Sequence, residues 1–282
     1  MKLLIDADII VYSSAADLTV WECEGHVFHL KSEAKEAFPN GTPVKTATYA
    51  PTLDYCKLKV EQAIEGMRRY LDDGIGADTF TLYLTEEGEK TNFRKTIAST
   101  YKAHRKNLVK PQRYHEVRQY IQDKYKGKVV VSEGQEADDD IGIEHYKPFL
   151  SAKKRELLRT ELKTVVCSRD KDRLTLPGWS FDPYARKLQF ITRDMADRNF
   201  YMQLLMGDKA DNIIGLPGIG PVKAAKIIDE CKTELDMYKK VCYNYIEQWG
   251  EEGMDKLLAN GKLLRIRRWE GEIWSPPDQE ER

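Results

Sequence analysis

The chain has 282 residues, 41% hydrophobic and 32% charged, enough to bury a substantial core without dividing into independent domains. Its 45 basic and 46 acidic side chains nearly cancel to a formal net charge of -1, so only the local distribution of charge can argue for a nucleic-acid partner. The 5 cysteines, Cys23, Cys56, Cys167, Cys231 and Cys242, are odd in number and form no CxxC pair, which argues against a disulfide framework or a thiolate zinc site.

The chain opens on a strand-like run, Lys2 to Ile5, with no basic leader, and no stretch is long enough to span a bilayer. A reducing, cytoplasmic setting without a membrane partner is the expectation. The apolar runs Thr79 to Leu84, Val129 to Val131 and Thr164 to Cys167 have the same short, continuous look as the first, and read as buried parallel strands. Helix-like stretches around 52 to 72, 111 to 125 and 136 to 160 alternate with them, which predicts an α/β fold with a doubly wound, mainly parallel sheet. Val20 to Leu30 alternates around Gly25 as a peripheral hairpin, and 39 to 51 reads as a Pro/Gly/Thr-rich loop. After about residue 193 strand signals give way to helical periodicity, so the expected organisation is a core over 1–192 and a helical region over 193–282.

Nine carboxylates sit where these elements end or begin: Asp6, Glu86, Glu136, Asp138, Asp139, Asp170, Asp172, Asp208 and Asp211. Asp6 follows the first strand, and Asp8 comes two residues later on the same side. Glu136, Asp138, Asp139 and Asp140 place 4 acids within 5 positions at a helix start. The helix dipole favours an acid there by about 0.3–1 kcal/mol, but that accounts for one or two, not four. Asp170 and Asp172 follow the Thr164 strand, and Asp208 and Asp211 lie at helical spacing in GDKADN. Each group alone could be a capping turn or a solvated face. Several at one end of a sheet repel one another and need divalent cations to coexist. Oxygen ligands without paired histidines suit two magnesium ions, with manganese as a substitute, better than zinc. Such a pair clamps a phosphodiester for attack by water.

From Lys90 to Arg113 the chain carries Lys90, Arg94, Lys95, Lys102, Arg105, Lys106, Lys110 and Arg113 with no acid among them, and Phe93 and Tyr101 interleaved. A solvated basic helix would look the same, but beside a metal site this composition points to phosphate. Gly215 to Pro221 then hands a glycine turn to a helix containing Lys223 and Lys226. That is the helix-hairpin-helix pattern over about 207–231, in which the amides at Gly218 and Gly220 hold a phosphate and read no base.

In order, Asp6, TNFRKTIASTYKAHRKNLVKP, EADDD, SRDKD, GDKADNIIGLPGIG and the late GKLLRIRRWEGEIW resemble the flap endonuclease and five-prime nuclease superfamily. The stand-alone phage five-prime to three-prime exonucleases look most similar. The resemblance implies a PIN-like core with a helical arch at about 90–113 over the active site, and the self-repulsion of that cationic segment predicts that it is mobile without DNA. It implies that Asp6, Glu136, Asp138, Asp170, Asp172 and Asp208 serve two magnesium ions, with Asp139 and Asp211 supporting. It also implies that Lys102 and Arg105 contact the scissile phosphate, that Arg94, Lys95, Tyr101 and Lys106 contact DNA, and that a monovalent cation can sit at the hairpin. Where the family usually has an aspartate after the second strand this chain has Thr85-Glu86-Glu87, so Glu86 is the candidate replacement.

The expected activity is therefore metal-dependent five-prime to three-prime exonuclease action on duplex DNA with a five-prime end, nick or flap. Removal of RNA primers from RNA–DNA hybrids and a role in phage replication, recombination or host DNA degradation, in the host cytoplasm, extend the same resemblance. The competing readings are a structure-specific flap endonuclease, a PIN-like ribonuclease and a DNA-binding protein without catalysis. No aromatic clamp-docking box ends the chain and no heptad seam stands out, so a monomer is expected.

Overall fold

The computed structural model describes residues 1–88, 91–152 and 157–277, apart from the side chains of residues 106 and 107. Lys90, the side chain of Lys106 and the last residues of the polar tail lie outside the described part.

Leu3, Leu4 and Ile5 are buried on both faces of a central strand, as their unbroken apolar run requires. That strand, β1 (Lys2–Asp6), lies between β5 (Thr79–Thr85) and β7 (Thr164–Cys167), parallel to both. β6 (Val129–Ser132) extends the sheet beyond β5, and β8 (Gly178–Asp182) and β9 (Lys187–Ile191) extend it beyond β7. The order is β6-β5-β1-β7-β8-β9, parallel except for β9. β8 and β9 carry no continuous apolar run, and only the pairing of β8 on β7 and of β9 on β8 makes them strands.

Leu3 and Ile5 pack with α1 (Asp8–Ala15), α3 (Leu53–Ile75) and α5 (Tyr114–Lys124) on one face of the sheet. Leu4, Tyr83 and Val166 meet Ala137 and Ile141 of α6 (Ala137–Ala152) on the other, the period-two alternation of a doubly wound sheet. α3 is stopped at both ends by local chemistry: the Thr52 hydroxyl accepts from the Tyr55 amide, and Gly76 closes the helix at φ 65°. The chain builds outward from β1 through β5 to β6 and returns to the opposite side as β7. The order therefore reverses beside β1, where ligands of such sheets gather at the carboxyl ends.

Two stretches differ from the sequence reading. The expected hairpin exists as β2 (Leu18–Cys23) and β3 (His26–Phe28), turned by Glu24 and Gly25 at φ 51° and 76°. The expected loop after it, however, contains β4 (Val44–Tyr49), paired antiparallel to β2, and α2 (Lys31–Ala37) precedes it. β4 is exposed along its length, so its alternation had no apolar face to betray it.

The carboxyl third is α7 (Arg193–Met206), α8 (Pro221–Asp229), α9 (Glu234–Trp249) and α10 (Gly253–Leu264) around Phe200, Leu204, Val241 and Tyr245. Tyr101, from the basic segment, is buried in this same cluster. The GDKADN run is not helical as its spacing suggested. Gly207–Asp208 (β10) pairs with Ile213–Ile214 (β11) across a tight turn. Gly207 at φ 70° lies so close to Gly215 that a Cβ on either residue would strike backbone.

Candidate active site

Asp6 ends β1, and its two oxygens accept from the Asp8 amide at 3.1 Å and the Ser168 hydroxyl at 3.0 Å. Burial, with the charges of Asp8 and Asp170, pushes its carboxyl up to about 7. Asp170 caps the short turn Lys171–Thr175 after β7 by accepting from the Asp172 amide at 3.1 Å. Asp172 is likewise raised to about 7 by burial and by Asp170 and Asp208. Asp208 is buried in the β10 turn, 3.1 Å from the Lys171 ammonium. Acids from β1, β7 and the β10 turn thus feel one another at the reversal of the sheet.

Glu136 stands immediately before α6, and Asp138 lies in its first turn. Asp138 Oδ1 is buried with no hydrogen-bond partner, and burial plus Asp139 and Glu136 raise its carboxyl well above the usual range. Glu136 behaves in the opposite sense. Burial would raise it, but Lys102 and Arg94 outweigh burial and hold it at about 2. The Lys102 ammonium donates to both Glu136 oxygens at 2.7 and 2.6 Å and lies 3.6 Å from Asp211. Tyr101 donates its hydroxyl to Glu136 and Asp211, both at 3.1 Å, and Arg105 meets Asp211 at 2.8 Å. Lys102 takes a left-handed backbone, φ 51°, and its amide donates to the Asp211 carbonyl at 3.0 Å. Burial raises Asp211, against the pull of Lys102.

Two residues predicted from sequence serve another purpose. Arg94, expected on the DNA side, is 2% exposed and makes a two-point pair with Asp139, which is 0% exposed. Arg94 also donates to the carbonyls of Leu263 and Arg265 at 2.8 Å, while Asp139 accepts from the amides of Glu136 at 3.1 Å and Arg267 at 3.0 Å. This pair ties the basic segment, α6 and the chain after α10 into one joint, and leaves neither group turned toward a substrate. The reason is electrostatic: a guanidinium this deeply buried needs its carboxylate.

Glu86 stands after β5 with its carboxylate accepting from Thr91 at 2.8 Å and its amide bonded to the Ser132 carbonyl at 3.0 Å. The arch segment is not a long helix. Its described part holds one helical turn, α4 (Arg94–Ile97), and a short turn at Ala103–Asn107, separated by the extended Ala98 and the left-handed Lys102. Lys95 is half-buried, and Lys223 and Lys226 are exposed on α8. Gly218 takes φ 71°, Gly220 begins α8 ahead of Pro221, and no atom crowds either position. Lys223 donates to the Gly218 carbonyl at 3.0 Å.

Asp8 belongs to the cluster although it was not singled out as a ligand. It accepts from the Thr85 amide at 3.0 Å, and Arg118 lies 3.4 Å away. Its DAD spacing with Asp6 was the available signal. Ser168 and Gln203, which hold Asp6 and Asp172, had none, because both depend on tertiary contact. Among the described residues no three acids stand together as a ready coordination shell. Glu136, Asp139, Asp208 and Asp211 turn instead to the cations of the protein.

No family model matches the sequence. Among solved structures the chain is similar to the bacteriophage T5 5′-exonuclease with divalent zinc bound, at 17% identity and TM-score 0.55, over 94% of this chain and 89% of that one. A T5 protein co-crystallised with metal ions matches at 18% and 0.52, over 93% and 85%. The T5 flap endonuclease in a pseudo-enzyme-product complex with DNA and metal ions matches at 20% and 0.52, over 73% and 81%. These likenesses establish the architecture: the chain has the PIN-like α/β fold of the T5 5′-exonuclease structures.

Proposed function

We propose that the chain is a divalent-metal-dependent nuclease that hydrolyses DNA phosphodiesters from five-prime ends in the five-prime to three-prime direction. The observation that carries this reading is the rim of acids at the reversal of the sheet, where Asp6 and Asp172 are raised by burial and by neighbouring acids while Lys102 and Arg105 balance Glu136 and Asp211. The donors are carboxylate oxygens without histidine or cysteine, and Asp138 Oδ1 is buried and unpaired. A hard divalent cation fits that set.

Asp6, Glu136, Asp138, Asp170, Asp172 and Asp208 would hold two such ions, magnesium or manganese, directly or through water, with Asp211 in support. Bound there, the ions supply charge stabilisation at the phosphate and acidify water. Glu86, held by Thr91, is the outlying member of the set. Lys102 and Arg105 balance Glu136 and Asp211 in the metal-free protein and stabilise the charge developing on the phosphate in the reaction. The three-prime oxygen leaves, so products carry a five-prime phosphate.

The helix-hairpin-helix supports a grip on duplex backbone through the amides at Gly218 and Gly220 and the side chains of Lys223 and Lys226, with a monovalent cation at the turn. Lys95 extends the cationic path. In this reading 1–192, completed by Asp208 and Asp211, cuts and the rest of 193–282 holds. One structural relative is a flap endonuclease bound to DNA, which supports DNA as the substrate and makes junction cleavage the second reading.

The deciding experiment follows end-labelled duplex, nicked plasmid and a flap blocked at its five-prime end, each with magnesium and with chelator. Magnesium-dependent release of five-prime phosphorylated products, abolished in Asp170→Asn, supports the nuclease. A single cut at the flap base favours the second reading, and absence of hydrolysis on every substrate rejects both. A matched RNA–DNA hybrid tests primer removal.

A further inference from the structure

A cleft of about 740 Å³ opens between α1, α3 and the turn joining β8 to β9. Its floor is apolar, with Ile10, Met67 and Phe181, whereas Lys59, Arg69, Arg169 and Arg186 bring four cations to its lining against one acid, Asp73. Arg69 is paired with Glu65 at 2.8 Å, but Lys59, Arg169 and Arg186 have no carboxylate partner among the described residues. Two tyrosines stand beside these cations. Tyr184 is 79% exposed and carries the Arg169 guanidinium 4.6 Å from its ring centroid. Tyr70 stacks on Phe181 at 5.4 Å and donates its hydroxyl to the Arg186 carbonyl at 3.0 Å. Both walls lead to the acid rim, since α1 begins just after Asp6 and Arg169 directly precedes Asp170.

We infer that this cleft binds one or two nucleotides of a single DNA strand, bases against the tyrosines and apolar floor, phosphates on Lys59, Arg169 and Arg186. Aromatic rings beside unpaired cations are the chemistry that holds single strands without sequence preference. Duplex is a poorer fit, because its bases are stacked and unavailable. The direction of the strand, running from the acid rim into the cleft, rests on the proposed nuclease reading; the binding itself does not.

The probe is a five-prime phosphorylated tetrathymidylate with a three-prime fluorophore, titrated by anisotropy in chelator, where no hydrolysis occurs. Tyr184→Ala combined with Arg186→Asn removes a stacking face and a cation, and asparagine tolerates the φ of 49° at position 186. The dissociation constant rises by about tenfold, the loss of one stacked base. Gly66→Leu is the second variant, since Gly66 lines the cleft from α3, has open space where a Cβ would stand, and gains helix propensity. It blocks the cleft and weakens binding by a similar factor. Unchanged affinity in either folded variant overturns the inference. A protein that hydrolyses nothing yet shows both losses keeps the cleft and rejects the nuclease.

Discussion

Asp139 and Asp170 lie in neighbouring acidic clusters of the same sequence, yet their surroundings assign them opposite tasks. Asp139 is the counter-charge of a buried arginine, whereas Asp170 is exposed and caps a short turn. Asp139→Asn leaves the Arg94 guanidinium buried beside a neutral group and should cost about 3–5 kcal/mol of stability, read as a lowered denaturant midpoint. Asp170→Asn should leave the midpoint nearly unchanged while abolishing magnesium-dependent hydrolysis. Equal stability loss in the two variants would contradict the division of labour. Sequence spacing named both acids but could not separate them, because Arg94 is 45 residues away along the chain.

At the scale of elements, the joint between α6 and the chain after α10 governs how the first turn of α6 is presented. Gly142 of α6 faces that segment so closely that an added Cβ would stand 2.4 Å from the Arg267 carbonyl and 2.7 Å from Ile266. Gly142→Ala therefore forces the two apart and should destabilise by about 1–3 kcal/mol despite the better helix propensity of alanine, measurable by thermal unfolding. His145, one turn further along α6, is buried with its Nδ1 2.8 Å from the Thr164 hydroxyl. Burial pushes its pKa down from 6.5 to about 4. The folded state thus prefers the neutral ring, so the contribution is complete above pH 6.5 and is lost as pH falls toward 4. That window should carry roughly 3 kcal/mol, at 1.36 kcal/mol per pKa unit. His145→Gln should flatten the slope of stability against pH between 6.5 and 4, and an unaltered slope would place the effect elsewhere.

At the scale of the molecule, acids contributed by four separate chain segments feel one another's charge where the sheet reverses, and their burial together with that like charge opposes folding. Asp6 and Asp172 are both raised to about 7, so each strains the metal-free fold increasingly as pH rises from 4 to 7. Magnesium should therefore raise the melting temperature at pH 8 by mass action, and by less at pH 5, where these carboxyls carry protons. An equal rise at both values would exclude the acid rim as the binding site. For the helical region, the salt slope of duplex binding should fall by about 1 for each phosphate contact removed, so Lys223→Gln with Lys226→Gln should lower it by about 2.

The local pattern alone marked the strands β1, β5, β6 and β7, and in β1 the unbroken apolar run Leu3-Leu4-Ile5 is satisfied between two covered faces, whereas Val130 and Val131 of β6, expected to be buried, stay exposed at the sheet edge. It also determined which acids stand at element ends, and it marked the glycine turn before α8. Tertiary structure decided the rest. β4, β8 and β9 are strands by pairing rather than by pattern, and GDKADN became a β-turn because Gly207 and Gly215 pack backbone to backbone. Arg94 went inward and Lys102 settled between Glu136 and Asp211 for the same reason. The energy of a charge depends on burial and on partners distant in sequence, and neither is encoded in its immediate neighbours.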